Sequence, residues 1–166
     1  MMKFTKYLCV LIFVIALAGC GVYTFTGHGI GGVATIAVDP IQNQTTEFGL
    51  SDDLTDAIIS KLLNDRTLSL SQKNSADAIL TGAVVSISDS PLSYSSSEIV
   101  TEYQVKVTVN FALVIPDQTN PLWEGRIVAD GSYPYSEGSL ENRNAGIKTA
   151  LDRIADDLIN KLTSDW

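Results

Sequence analysis

The sequence predicts an α+β two-layer sandwich, with two helices packed on one face of a mixed sheet of about four strands. Three observations carry that prediction. Residues 52–65 repeat apolar side chains along one helical stripe, and a second such stripe ends near residue 163. Between them, Tyr103, Val105, Val107, Val109, Phe111, Leu113 and Ile115 alternate with Glu102, Gln104, Lys106, Thr108 and Asn110. One-faced helices and a one-faced strand have a simple packing solution: both helices cover the apolar side, and the other side stays polar and open.

The chain begins with Lys3 and Lys6, followed by eleven uncharged residues from Tyr7 to Leu17 and then Leu17-Ala18-Gly19-Cys20. This is the layout of a cleavable export signal ending in a lipobox. A spanning helix needs roughly 20 apolar residues, so the run is too short to cross a membrane, and residues 1–19 read as a signal peptide. Small Ala18 and Gly19 admit a peptidase, and the Cys20 thiol can take a lipid before it becomes the mature N-terminus. Stable anchorage needs more than one acyl chain, such as palmitate. The expected attachments are therefore a covalent lipid on Cys20 and no cofactor.

Residues 20–32 read as a lipidated flexible tether and residues 33–166 as a single domain. Within the tether, Gly27-x-Gly29-x-x-Gly32 matches the dinucleotide fingerprint. That fingerprint needs a strand before it and a helix opening on it, and here it precedes a strand. Residues 33–38 are β-rich and Pro40 ends the run, which predicts the first strand. Ser51 before Asp52 and Asp53 predicts a helix N-cap with acids where the dipole favours them. Leu54, Ile58 and Leu62, with Ile59 and Leu63 widening the stripe, predict a helix over 52–65. Residues 68–71 and 78–88 read as strands, the alternating run as a half-buried antiparallel strand, and residues 122–131 as its hairpin partner. Ile147, Leu151, Ile154, Leu158 and Leu162 predict the last helix.

Composition excludes several functions. Loss of Lys3 and Lys6 with the signal takes the formal charge from −8 to −10, and a chain this acidic lacks the basic face that nucleic acid requires. Cys9 leaves with the signal and Cys20 is consumed by lipid, so no intrachain disulfide is expected. His28 is the only histidine and sits among tether glycines, which leaves no nucleophile–base pair and no zinc ligand set. The pairs Asp52/Asp53 and Asp156/Asp157 diverge by about 100° on a helix, so dipole compensation and a solvated face explain them better than acid–base catalysis. The chain does not read as an enzyme. Trp123 shares strand alternation with Gly125 and Ile127 and reads as sheet packing. Tyr133 and Tyr135, beside Pro134, are candidate partner contacts.

Cys20-Gly21-Val22-Tyr23, Asn43-Gln44-Thr45 and Leu80-Thr81-Gly82, and above all Thr101-Glu102-Tyr103-Gln104 with Thr108-Val109-Asn110 and Ile115-Pro116, resemble the lipopolysaccharide-assembly lipoprotein family LptE. The resemblance implies the same two-layer sandwich, acting as a plug inside the outer-membrane barrel LptD, assisting its assembly and binding lipopolysaccharide. Large outer-membrane barrels have polar interiors, so the open face of Gln104, Thr108 and Asn110, with Tyr133 and Tyr135, supplies the candidate partner contacts. The family is expected to meet its anionic ligand through basic loop residues. The loop from Asp89 to Glu98 has none, leaving Lys106, Arg126 and Arg143 as lipopolysaccharide-binding candidates. Gly21 after the cysteine favours the outer membrane as the lipid-anchored destination. The alternative is a periplasmic regulatory or secretion lipoprotein of the CsgG or LpoB type, whose first strand, loop and helix look similar to residues 36–63.

Overall fold

A six-stranded mixed sheet carries both helices on one side. The computed structural model describes residues 29–135 and 140–164; the expected signal peptide, Cys20 and His28 lie outside the described residues. In chain order the elements are a 3-10 turn (Ile30–Gly32), β1 (Thr35–Val38), β2 (Gln42–Asn43), α1 (Leu50–Asn64), β3 (Ser69–Leu70), β4 (Ala78–Tyr94), β5 (Val100–Val114), β6 (Trp123–Pro134) and α2 (Leu140–Thr163). The sheet order is β3-β1-β4-β5-β6, with β2 pairing alongside β4. Strand β1 pairs in parallel with β3 and β4, and β2 pairs in parallel with β4, whereas β4, β5 and β6 form an antiparallel meander.

The alternation in β5 sorts its side chains as expected. Val105, Val107, Val109, Phe111 and Leu113 are buried under the helices. From α1 come Leu54, Ile58 and Leu62, and from α2 Ile147, Leu151, Ile154, Leu158 and Leu162, all in the same core. Each large aliphatic buried this way contributes roughly 1.5–3 kcal/mol. The helices run in the same direction. Glu47, just before α1, pairs with Arg143 in the first turn of α2, and Lys61 near the end of α1 pairs with Asp156. Helix α2 lies unusually close to the sheet: a Cβ on Gly131 would fall 2.0 Å from the Gly146 carbonyl oxygen.

Four expectations are corrected. Six strands stand where about four were expected, because β2 and β3 are two residues each and too short to leave a periodic pattern. The first helix is capped not by Ser51 but by Gly49, whose φ of 81° turns the chain into the helix one residue before Leu50. Leu50 is only 1% exposed, and its burial draws it and Ser51 into the first turn. The stretch 89–98 is mostly not a loop. Strand β4 continues to Tyr94, paired with β5 through register shifts near Val84, Pro91 and Ser93, and only the Ser95–Ile99 tip turns. Ladder bonds there override weak local β-propensity. Residues 29–32 are not tether: the Gly29 N–H donates to the Val33 carbonyl, and Ile30 packs against the core.

Candidate functional site

The face of the sheet away from the helices is open and polar. Along β5, Gln104 lies between Ser90 and Ser132, Lys106 between Ser88 and Asp130, Thr108 between Ser86 and Val128, and Asn110 between Ala83 and Arg126. Alternation puts these side chains together because the odd-numbered partners are held in the core. Arg126 donates from Nε to the Asn110 Oδ1 at 3.1 Å, which lays the guanidinium along the sheet. Lys106 and Arg126 are exposed, and among the described residues neither forms an ion pair. Two cations on a polar, uncovered sheet can meet anionic groups without displacing a carboxylate.

Arg143 is elsewhere. It projects from the start of α2 on the helix side and is held by two carboxylates: Nη2 to Asp89 at 3.0 Å and Nη1 to Glu47 at 2.9 Å. Its Nε also donates to both Asp89 oxygens at 3.2 Å. The hydrogen bonds to Asp89 raise the Arg143 pKa further, so the cation is fixed. This geometry ties together the loop before α1, strand β4 and helix α2.

The tyrosines belong to the same end. Tyr133 stacks on Tyr103 with ring centres 5.8 Å apart, and its hydroxyl donates to Asp89 at 2.8 Å. Burial, reinforced by that bond and by the Asp89 charge, pushes its pKa up to about 12. Tyr135 makes a tilted contact with the Tyr103 ring, centres 5.5 Å apart, and is 54% exposed. Nearby, Phe48, Leu92, Tyr94, Ile99 and Leu140 are exposed around the hairpin tip and the helix starts. The structure therefore separates the candidates into two groups: Gln104, Lys106, Thr108, Asn110 and Arg126 on the open face, and Arg143, Tyr133 and Tyr135 at the hairpin end. Sequence reasoning missed Asp89, Glu47 and Tyr103 as members of the second group. Tyr103 and Tyr133 sit on apolar-face positions of adjacent strands, a signal that could have paired them. Nothing local marked Glu47.

Between α1 and α2 an open groove of about 680 Å³ is lined by Asp53, Asp56, Ser60, Lys148 and Asp152 among others. No group of three or more His, Cys, Asp or Glu among the described residues is arranged to hold a metal ion.

The LptE family model, described as lipopolysaccharide-assembly, matches residues 33–164. The chain belongs to the LptE family. That match spans both helices, the hairpin and the open face, and it favours the LptE reading over the CsgG or LpoB type. No curated protein matches the chain. Among solved structures, a hypothetical protein from Chlamydia trachomatis superposes with TM-score 0.57 at 9% identity, covering 77% of this chain and 94% of that one. A protein from Xanthomonas campestris gives 0.54 at 12%, covering 76% and 81%. The PelC dodecamer subunit from Paraburkholderia phytofirmans gives 0.50 at 15%, covering 78% and 89%. At these identities the likeness establishes the two-layer fold of this LptE family member and nothing about its ligands.

Proposed function

We propose that this LptE family member is an outer-membrane lipoprotein, acylated on Cys20, that occupies the lumen of an LptD-like barrel and supports lipopolysaccharide transport through it. The observation that supports this most directly is the uncovered polar sheet face. A plug must keep its own core while presenting hydrogen-bonding groups to a polar barrel interior, and Gln104, Thr108 and Asn110 form such a surface. Tyr135, exposed at the hairpin end, adds a second contact. On this reading Lys106 and Arg126 meet lipopolysaccharide phosphates, while Arg143 and Tyr133 hold the hairpin end in place.

Copurification in mild detergent tests the partnership. The chain should come out of membranes with a large outer-membrane barrel, and the complex should weaken when Thr108 and Asn110 are both replaced by Lys. Recovery of the membrane-bound chain with no barrel in any fraction would overturn the reading.

A further inference from the structure

A long free edge of the sheet is β6, and its backbone direction can be read from three contacts. The Asp130 carbonyl accepts from Arg153 Nη1 at 2.7 Å, so it points away from β5. Tyr135 donates its N–H inward, to the Thr101 carbonyl. Pro134, of even number like Asp130, has no N–H to present outward. The even-numbered residues of β6 therefore turn their N–H and C=O groups outward and the odd-numbered ones turn theirs to β5. The upper part of the edge is blocked by the Arg153 bond and by Pro134. The lower part, Glu124, Arg126 and Val128, is not: among the described residues no hydrogen bond reaches its outward groups. Such a row is a template for another strand.

The side chains beside that row suggest which strand. Glu124 and Arg126 are both exposed and both on the open face. We propose that the lower half of the β6 edge is a self-association surface, at which a second copy of the chain pairs antiparallel about a two-fold axis through Gly125. Glu124 of each copy then lies opposite Arg126 of the other. Two hydrogen-bonded pairs form four N–H···O=C bonds, and two opposite-charge cross-strand pairs lie on one face.

Neighbouring registers are worse for stated reasons. An axis through Arg126 sets the two guanidinium groups directly opposite each other. An axis through Ile127 sets Glu124 opposite Asp130, and it needs the Asp130 carbonyl that Arg153 already occupies. Charge complementarity therefore selects both the partner and the register. The surface shares Arg126 with the open face, and the joint sheet describes the chain outside any larger complex.

Sedimentation of the full chain in detergent across a concentration series tests the proposal, with Glu124→Arg, Arg126→Glu and the double exchange alongside. Each single reversal turns two attractive pairs into two repulsive ones and should weaken the dimer roughly tenfold or more. The double exchange restores the pairing and should return affinity to within about twofold. As a second measurement, differently tagged Glu124→Cys and Arg126→Cys chains are mixed under oxidising conditions. Directly opposite residues lie about 5.5 Å apart between Cα atoms, within disulfide reach, so the mixed pair should crosslink well above either chain alone. A chain that stays monomeric at every concentration, a double exchange that stays weak, or crosslinking no greater in the mixture than in the single chains would each overturn the proposal.

Discussion

Replacing Gly131 with alanine should be among the most damaging single-methyl changes in the molecule. The added Cβ would stand 2.0 Å from the Gly146 carbonyl oxygen, 2.8 Å from its carbon and 3.2 Å from the Ala150 nitrogen. All three are backbone atoms of α2, so no side chain can rotate away. An ordinary carbon–oxygen approach is about 3.3 Å, and relief requires α2 to move off β6 by about 1.3 Å. A radial gap of that size forfeits half or more of the dispersion well for the atoms that face across it. Those atoms include Ile147, Ala150, Leu151 and Ile154, all buried. Overpacking costs about 1–3 kcal/mol on its own, and with the loosened contacts the expected loss is about 3–4 kcal/mol. For a domain of this length that lowers Tm by about 10 °C. Gly146→Ala provides the control. Its Cβ would meet the Tyr133 ring edge at 3.2 Å, the Ser132 carbonyl oxygen at 3.3 Å and Val105 Cγ1 at 3.4 Å, a crowding of a few tenths of an ångström set against the roughly 1 kcal/mol that alanine gains over glycine inside a helix, so the loss should stay below about 1 kcal/mol. Urea unfolding of both variants gives the comparison. A Gly131→Ala loss below about 0.5 kcal/mol, or one no larger than that of Gly146→Ala, would refute the claim that backbone contact sets the α2–β6 spacing.

Three further outcomes are expected. Arg143→Ala strands the Asp89 and Glu47 carboxylates and should cost about 1–2 kcal/mol by urea unfolding, with Arg143→Lys recovering only part, because an ammonium cannot reproduce the forked contact with Asp89. Asp77 accepts hydrogen bonds from the Thr35 hydroxyl and from the Thr35 and Ala34 backbone, and these hold its pKa below the ordinary 3.8. Its folded pKa is lowered, so its stabilisation is present above about pH 4 and lost as pH falls through the folded value; Asp77→Asn should flatten the urea midpoint against pH in that acid range, and an unchanged slope would reject the linkage. Lys106→Ala or Arg126→Ala should weaken binding to lipopolysaccharide-coated surfaces more at low salt than at high salt, since exposed charges are screened over about 10 Å at 0.1 M, and equal binding at low salt would remove these residues from the ligand surface.

The two-layer arrangement was legible in the sequence because it depends on periodicity. Ile58 and Leu62 in α1, Leu151 and Leu158 in α2, and Val105 to Leu113 in β5 are buried on the side their spacing predicts. The open-face residues follow from the same alternation, so Gln104, Lys106, Thr108 and Asn110 could be grouped before any coordinates. Arg143 could not be placed. Its partners lie 54 residues away at Asp89 and in the loop that ends at Gly49, and no local pattern encodes a contact between a helix start and two distant segments. The extent of β4 was hidden for a related reason: Ser90, Pro91 and Ser93 have poor strand propensity, and it is the β5 partner that makes them extended. The 3-10 turn was read as tether because glycine composition does not reveal that Gly29 is packed against Leu68 and Leu162.

One packing decision links these findings. Because both helices cover the same face, the charged groups among the described residues lie at the helix surface, at an end, or on the uncovered sheet, and none is buried. The first two places are dominated by acids: Asp53, Asp56 and Asp152 line the groove between the helices, and at the hairpin end Asp89 and Glu47 together enclose Arg143. The groove also holds Lys148 beside those three carboxylates, so an anion entering it meets a net negative surface, and at the hairpin end the cation is already engaged. The open sheet is more balanced: Lys106 and Arg126 stand there among serine, threonine and asparagine side chains, with Asp130 opposite Lys106 and Glu124 on the same face. A protein with a formal charge of −8 thus keeps two cations free of ion pairs among the described residues, Lys106 and Arg126, on the face that the fold leaves uncovered, and the same alternation that builds the core positions Glu124 and Arg126 along a free edge where a second strand can be added.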